Sequence, residues 1–187
     1  MIKDLDDLKS VLSKFAGEAS AQATLFRLQA AEEGGEPEST GAVVVIGQNN
    51  GKRYTEIRGL EGELPANIRI EEDAVFGSSM DKPDEWHALD GPDGDSLRAF
   101  SLLDPRTVGD LIERAEFREG AEGLTVILGR VDLASIPGVP EALIKWLGGD
   151  AVDREVELRF KEDRLIEVTQ PDLHPRRSDH IIERFED

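Results

Sequence analysis

Cysteine is absent from the 187 residues, which removes disulfides and thiolate metal sites. Aromatic residues make up only 5%, so aliphatic side chains must fill most of any core. No apolar run approaches the roughly 18 residues that a membrane-spanning helix needs. Basic residues are scarce: 22 Lys and Arg stand against 40 Asp and Glu, a net charge of −18. That field repels a phosphate backbone, so nucleic acid is not an expected partner. It repels an anionic membrane surface as well, unless a local basic patch offsets it. Met1-Ile-Lys-Asp runs straight into an acidic helix, with no leader in view. The expected compartment is the cytoplasm, or the cell envelope if a leader has been removed.

What is present comes in clear blocks. Charged residues reach 33% and hydrophobic residues 39%, but the apolar ones cluster, and the length suits a single domain over 1–187. "IKDLDDLKSVLSKFAGEA" reads as a helix, with Ile2, Leu5, Leu8, Val11, Leu12 and Phe15 on one stripe and Gly17 as terminator. Asp4, Asp6 and Asp7 fall in its first turns, where the helix dipole favours acids. "SAQATLFRLQAA" admits a strand or more helix, and the strand is preferred because Gly17 and Thr24-Leu25-Phe26 break the helical period. "EEGGEPESTG", 32–41, reads as a loop. "AVVVIG" and "KRYTEIRG" flank "QNNG", a strong hairpin turn. "NIRIEEDAVFGSS" alternates Ile68 and Ile70 against Arg69 and Glu71, and "DKPDEWHALD" carries Trp86 and Leu89 in a short strand.

After "DGPDGDS" the pattern changes. Asp104 is a good N-cap and Pro105 fits the first helical position, with Val108, Leu111, Ile112 and Ala115 as the apolar face. "GLTVILGRVDL" is a strand, and "PGVPEALIKWLGGD" holds a short apolar helix over about 140–147. "REVELRFKEDRLIEVTQPD" is a hairpin, and "SDHIIERFED" is a candidate last strand to close the sheet. The succession is that of an α+β chain built on an antiparallel meander.

Three of these stretches carry a resemblance: "AVFGSSMDKPDEWHALD", "LLDPRTVGDLIERA" and "GLTVILGRVDL…VDREVELRFKEDRLIEVT". In order and spacing the chain resembles the LppX/LprG-type actinobacterial lipoproteins and, more distantly, the LolA/LolB lipoprotein carriers. The resemblance implies a strongly curved antiparallel sheet, a half-barrel, with helices packed in its concave face and an apolar cavity between. It implies a carrier of acyl chains or lipidated molecules. Trp86, near the rim, would then pack against the inner helix that begins at Asp104. The chain departs from the family in having no lipobox cysteine and in being far more acidic.

The core pattern picks the residues that would line such a cavity: Val44, Ile46, Ile57, Ile70, Leu111, Ile112, Val126, Leu128, Leu143, Trp146, Val156 and Leu158. The short helix around Trp146 would serve as a lid hinged at Gly138 and Gly148-Gly149, as an outward contact patch, or as ordinary packing. Chemistry is hard to find elsewhere. His87 beside Asp90 has the makings of a general base, but no nucleophile motif accompanies it. Asp90, Asp93 and Asp95 lack the spacing of a calcium loop. Arg176 and Arg177 suit an anionic head group or surface ion pairs. The expectation is a non-enzymatic binding protein without metal or cofactor, whose partner is a lipid or other apolar small molecule. The alternative is an acidic protein–protein interaction module of the same fold, with a closed core and no ligand.

Overall fold

The structure is a computed structural model describing residues 2–17, 19–29, 35–60, 65–120, 123–132, 141–146, 151–152, 155–172 and 179–185. Of these, 128–132, 143, 146 and 151–152 are described by their backbone alone. The first helix, α1, runs Leu5–Ser13. Its boundary lies inside the expected one because Asp4 is the N-cap, accepting a hydrogen bond from the Asp7 N–H at 2.9 Å. Ile2 precedes the helix yet is buried, and Leu8 and Leu12 point into the core. Ala16 (φ 65°) and Gly17 (φ 39°) turn the chain left-handed and end the helix.

Strands follow: β1 (Ala21–Leu28), β2 (Glu38–Asn49), β3 (Lys52–Arg58), β4 (Asn67–Glu71), β5 (Val75–Ser78) and β6 (His87–Ala88). The strand reading of 21–28 holds, with Ala23 and Leu25 buried on one face. The loop expected over 32–41 is shorter, because β2 already begins at Glu38. Asn50 (φ 49°) and Gly51 (φ 79°) form the expected tight turn between β2 and β3. Across that hairpin Gly47 pairs with Tyr54, and a Cβ on Gly47 would strike the tyrosine ring. "NIRIEEDAVFGSS" is a hairpin rather than one strand. Glu72 and Asp73 make its turn, closed by the Glu71 N–H donating to the Ala74 carbonyl at 2.8 Å.

The helical layer starts earlier and ends sooner than the sequence pattern suggests. The Asp-Gly stretch forms helix α2 (Pro92–Leu97), and a 3-10 helix (Arg98–Leu103) leads into α3 (Pro105–Leu111). Asp104 caps α3 and Pro105 is its first residue, as expected. Ile112 and Ala115 are not on the helix; they belong to β7 (Ile112–Gly120). Pairing with β8 (Gly123–Asp132) overrides the helical period there. Helix α4 is Glu141–Trp146, and β9 (Ala151–Val152), β10 (Val156–Lys161), β11 (Arg164–Pro171) and β12 (His180–Phe185) complete the chain.

All strand neighbours are antiparallel, in the order β6-β5-β4-β3-β2-β1-β12-β11-β10-β8-β7, with β9 beside β8. The last strand does not close the sheet at an edge. It lies in the middle, between β1 and β11, and joins the two halves of the meander.

The sheet is strongly curved, and hydrogen bonds show why. Thr55 on β3 donates to Asp104 at 3.2 Å, and Gln170 on β11 donates to the Leu102 carbonyl at 3.0 Å. On a flat sheet β3 and β11 would lie roughly 19 Å apart, at about 4.8 Å per strand. Residues 102 and 104 are at most about 7 Å apart. Helix α3, roughly 10 Å long, also touches β8, further round the same path. The sheet therefore wraps around the helices, which sit on its concave side.

Helices α1 and α3 pack together there over Gly109, where a Cβ would meet Leu12 Cβ at 2.9 Å. Gly109→Val is expected to destabilise the protein by about 1–3 kcal/mol through overpacking, measurable as a lower urea midpoint with unchanged slope.

Candidate functional site

Under the helices lies a buried polar knot. Arg106, the largest of the fully buried side chains, is 2% exposed. Its Nη2 donates to Asp104 Oδ2 at 2.7 Å, to the Gly47 carbonyl at 2.9 Å and to the Tyr54 carbonyl at 3.3 Å. Its Nε donates to both Asp104 oxygens, and its backbone N–H donates to Oδ1 at 2.9 Å. One carboxylate thus caps α3, neutralises the guanidinium and holds Thr55. The arginine in turn straps α3 to the β2–β3 hairpin.

Beside this knot opens a cleft of about 400 Å³ between β3, β4 and the 3-10 helix with α3. That is within the usual range for small-molecule sites. Ile70 and Leu111 are its aliphatic side chains; Thr55, Ser101, Asp104 and Thr107 supply polar wall. Two ion pairs gird the rim. Lys52 reaches Asp73 at 3.0 Å, and Arg53 reaches Asp110 at 2.7 Å, tying the β2–β3 turn to the β4–β5 turn and to α3. Hydrogen bonding to Asp73 raises the Lys52 ammonium and, reciprocally, lowers the Asp73 carboxyl. Both lie in solvent, where such pairs stabilise little. Arg98 closes the inner end, donating from Nη1 to the carbonyls of Glu71 and Glu72 at 3.3 and 3.2 Å.

A second polar group lies deeper. Glu183 on β12 is fully buried, and its Oε2 accepts from Gln170 Nε2 at 3.3 Å. Burial pushes its carboxyl well above the usual carboxylate range; the Gln170 hydrogen bond opposes this and the Asp104 charge adds to it.

Of the residues expected to line a cavity, Ile70 and Leu111 border the cleft. Val44, Ile46, Ile57, Ile112, Val126, Val156 and Leu158 are packed with them in one core cluster, each at most 2% exposed. The side chains of Leu128, Leu143 and Trp146 lie outside the described ones, although Leu128 pairs through its backbone with Val156.

Trp86 does not pack against α3 in the way expected. Its ring is half-buried beneath Arg58, with the guanidinium carbon 5.6 Å from the ring centroid. Arg58 stands on the outer face of β3 with Tyr54 and Glu56, whereas Thr55 and Ile57 face the helices. The tryptophan thus serves the convex side, where Arg58, Glu56, Arg69 and Glu71 form a chain of ion pairs at 2.8–2.9 Å. His87 and Asp90 are exposed. Asp90, Asp93 and Asp95 form no metal-binding group among the described residues. Asp93 and Asp95 instead belong to α2. His174, Arg176, Arg177, Gly138, Gly148 and Gly149 lie outside the described residues.

Sequence reasoning missed Arg98, Arg106, Gln170 and Glu183. One signal was available for Glu183: in "HIIERF" it falls in phase with Ile181 and Phe185, on the face that meets α1 through the 4.9 Å Phe15–Phe185 ring contact. An acid in an apolar register is a buried polar group awaiting a partner.

No family model matches the chain, and no curated protein matches it in sequence. Solved structures are similar in arrangement. A DUF1329 family protein from Desulfovibrio piger aligns over 98% of this chain and 90% of its own, with 10% identity and a TM-score of 0.45. A LolA superfamily protein from Nitrosomonas europaea aligns over 100% and 93%, with 6% identity and a TM-score of 0.43. MucB in complex with MucA(peri) aligns over 98% and 56%, with 13% identity and a TM-score of 0.36. Among the described residues no helix is long and apolar enough to cross a membrane.

Proposed function

We propose that the protein is a non-enzymatic binding protein that takes an apolar chain between its curved sheet and the helices on the concave side. The observation that carries this reading is the cleft of about 400 Å³ whose aliphatic floor, Ile70 and Leu111, is continuous with the core. An acyl chain entering there would displace water from that floor and gain about 0.8 kcal/mol per buried methylene. The remaining walls would come from Val44, Ile46, Ile57, Ile112, Val126, Leu128, Leu143, Trp146, Val156 and Leu158 as the helical layer lifts. On this reading the protein acts as a carrier in the manner of the LppX/LprG and LolA-type proteins.

The test is native mass spectrometry of freshly purified protein, followed by titration with a fluorescent long-chain fatty acid. Retained mass that is lost on denaturation, or saturable probe binding, is expected. Thr107→Trp, which fills the cleft from its half-buried wall, should weaken the probe at least about tenfold, the effect of losing roughly 1.4 kcal/mol. Unchanged binding in Thr107→Trp would remove the cleft from the reading.

A second reading has its own observation. Val44, Ile46, Ile57, Val126 and Leu158 are fully buried and do not border the cleft, and the chain carries a net charge of −18. A closed-core module presenting an acidic surface to a protein partner would look the same. A clean mass with no probe binding favours it.

A further inference from the structure

The floor of the concave face holds an arrangement that a plain apolar core would not. Glu183 stands in register with Leu25 on β1 and Val168 on β11, both core residues. Gln170, two residues beyond Val168, shares that face, and its side chain is fully buried as well. Gln170 Nε2 uses its two hydrogens in two directions. One goes to Glu183 Oε2 at 3.3 Å, the other up to the Leu102 carbonyl at the end of the 3-10 helix, at 3.0 Å. Two buried oxygens are left over, Gln170 Oε1 and Glu183 Oε1, and neither has a hydrogen-bond partner among the described residues.

Both orphans are acceptors, and they belong to two side chains already bonded to each other. A single proton on Glu183 Oε1 supplies the missing donor. A carboxylic acid and a primary amide can pair through two hydrogen bonds, N–H to one carboxyl oxygen and O–H to the amide oxygen. One proton would satisfy both atoms, whereas an ionised Glu183 leaves a buried charge facing an amide oxygen. Among the described residues no cation is paired with it. The charged group that bears on it is Asp104, which is also negative and is itself paired with Arg106. Beside it β1 and β11 present Leu25, Val168 and Gln170; further along the same face Arg27 and Asp172 lie 3.9 Å apart and are paired with each other.

We propose that Glu183 and Gln170 form an acid–amide pair that clamps the 3-10 helix to the floor of the sheet, and that loss of the proton to solvent loosens the helical layer. The clamp belongs to the fold and stands apart from ligand binding. Its consequence for loading or release rests on the binding function proposed above.

The sign follows from the state that binds the proton more tightly. With the folded carboxyl raised above its unfolded value, stability is fully present below the unfolded value. It is lost as pH climbs from there through the folded one. In that window Glu183 should raise the unfolding constant by up to about tenfold per pH unit. The variant that isolates it is Glu183→Gln, which stays neutral and pairs with Gln170 as amide to amide.

Urea unfolding of wild type and Glu183→Gln from pH 4.5 to 8 is expected to give curves that diverge with rising pH, the variant losing less. Hydrogen exchange, corrected for intrinsic rate, should show protection of residues 98–111 falling with pH in wild type and holding in the variant. Parallel unfolding curves would overturn the proposal. So would protection over 98–111 that follows the rest of the chain. Should Glu183→Gln fail to fold, carbon-13 titration of the Glu183 side-chain carboxyl in wild type decides: a midpoint in the ordinary carboxylate range refutes the clamp, and a raised one supports it. None of these readouts involves a ligand, so a failed clamp and a failed binding reading are distinguishable.

Discussion

Asp104→Ala is expected to destabilise the protein by about 3–5 kcal/mol, the cost typical of breaking a buried ion pair by removing one partner. The substitution strips Arg106 of its countercharge while the guanidinium remains 2% exposed. Two backbone carbonyls, of Gly47 and Tyr54, would be its remaining partners. The same change removes the α3 cap and the acceptor of Thr55. A cap alone is worth about 0.5–2 kcal/mol, so a loss confined to that range would mean water reaches Arg106. The pairing can be separated from the cap. Asp104→Asn combined with Arg106→Met keeps a capping side chain and removes both charges, and should recover most of the loss. Equilibrium urea unfolding of the wild type and these two variants checks this. If the double variant is no better than Asp104→Ala, the polar knot contributes through its hydrogen bonds and not through compensation of a buried charge.

Phe160→Ala should cost a comparable about 3–5 kcal/mol, the usual range for an aromatic removed from a packed core. Phe160 is 2% exposed on β10 and faces the core together with Val156 and Leu158. Its cross-strand partners are Leu165 on β11 and Leu124 on β8. The backbone around it has little room to collapse into the void. Gly123 (φ 129°) lies so close that any Cβ there would run into the Phe160 carbonyl. For a chain of this length the melting temperature should fall by roughly 6–20 °C, at about 2–4 °C per kcal/mol. A fall of only a degree or two would show that helices or strands close over the gap, which is the plasticity a ligand-binding core needs. This thermal measurement therefore bears on function as well as stability.

Much of the chain was legible without coordinates. The α1 stripe, the Asn50-Gly51 turn, the Asp104-Pro105 helix start and the Val156, Leu158, Phe160 alternation are local signals. Each is set by side-chain period or by backbone angles that few residues adopt. The errors have a common cause. Leu111 to Phe117 carries helical spacing, but Ile112 and Ala115 are strand residues because β8 offers β7 a full ladder. "NIRIEEDAVFGSS" turns at Glu72-Asp73 without a Gly or Pro to announce it. Trp86, just before β6, sits under Arg58 of β3 on the convex side, a contact across 28 residues of sequence. In each case a partner distant in sequence decided between local conformations of similar free energy.

The sequence by itself determined the class of the molecule: an α+β chain, without disulfides, with an antiparallel meander and a strongly acidic surface. These depend on composition and on periods of two and 3.6, which are written along the chain. Tertiary structure alone decided the rest. It placed the last strand in the middle of the sheet and bent that sheet around α3. It brought Arg106 to the carbonyls of residues 47 and 54, and Glu183 to Gln170 beneath Leu102. Those contacts span 13 to 68 residues of sequence. No local pattern encodes them, because a buried polar group finds its partner only when the curvature of the sheet brings the two together.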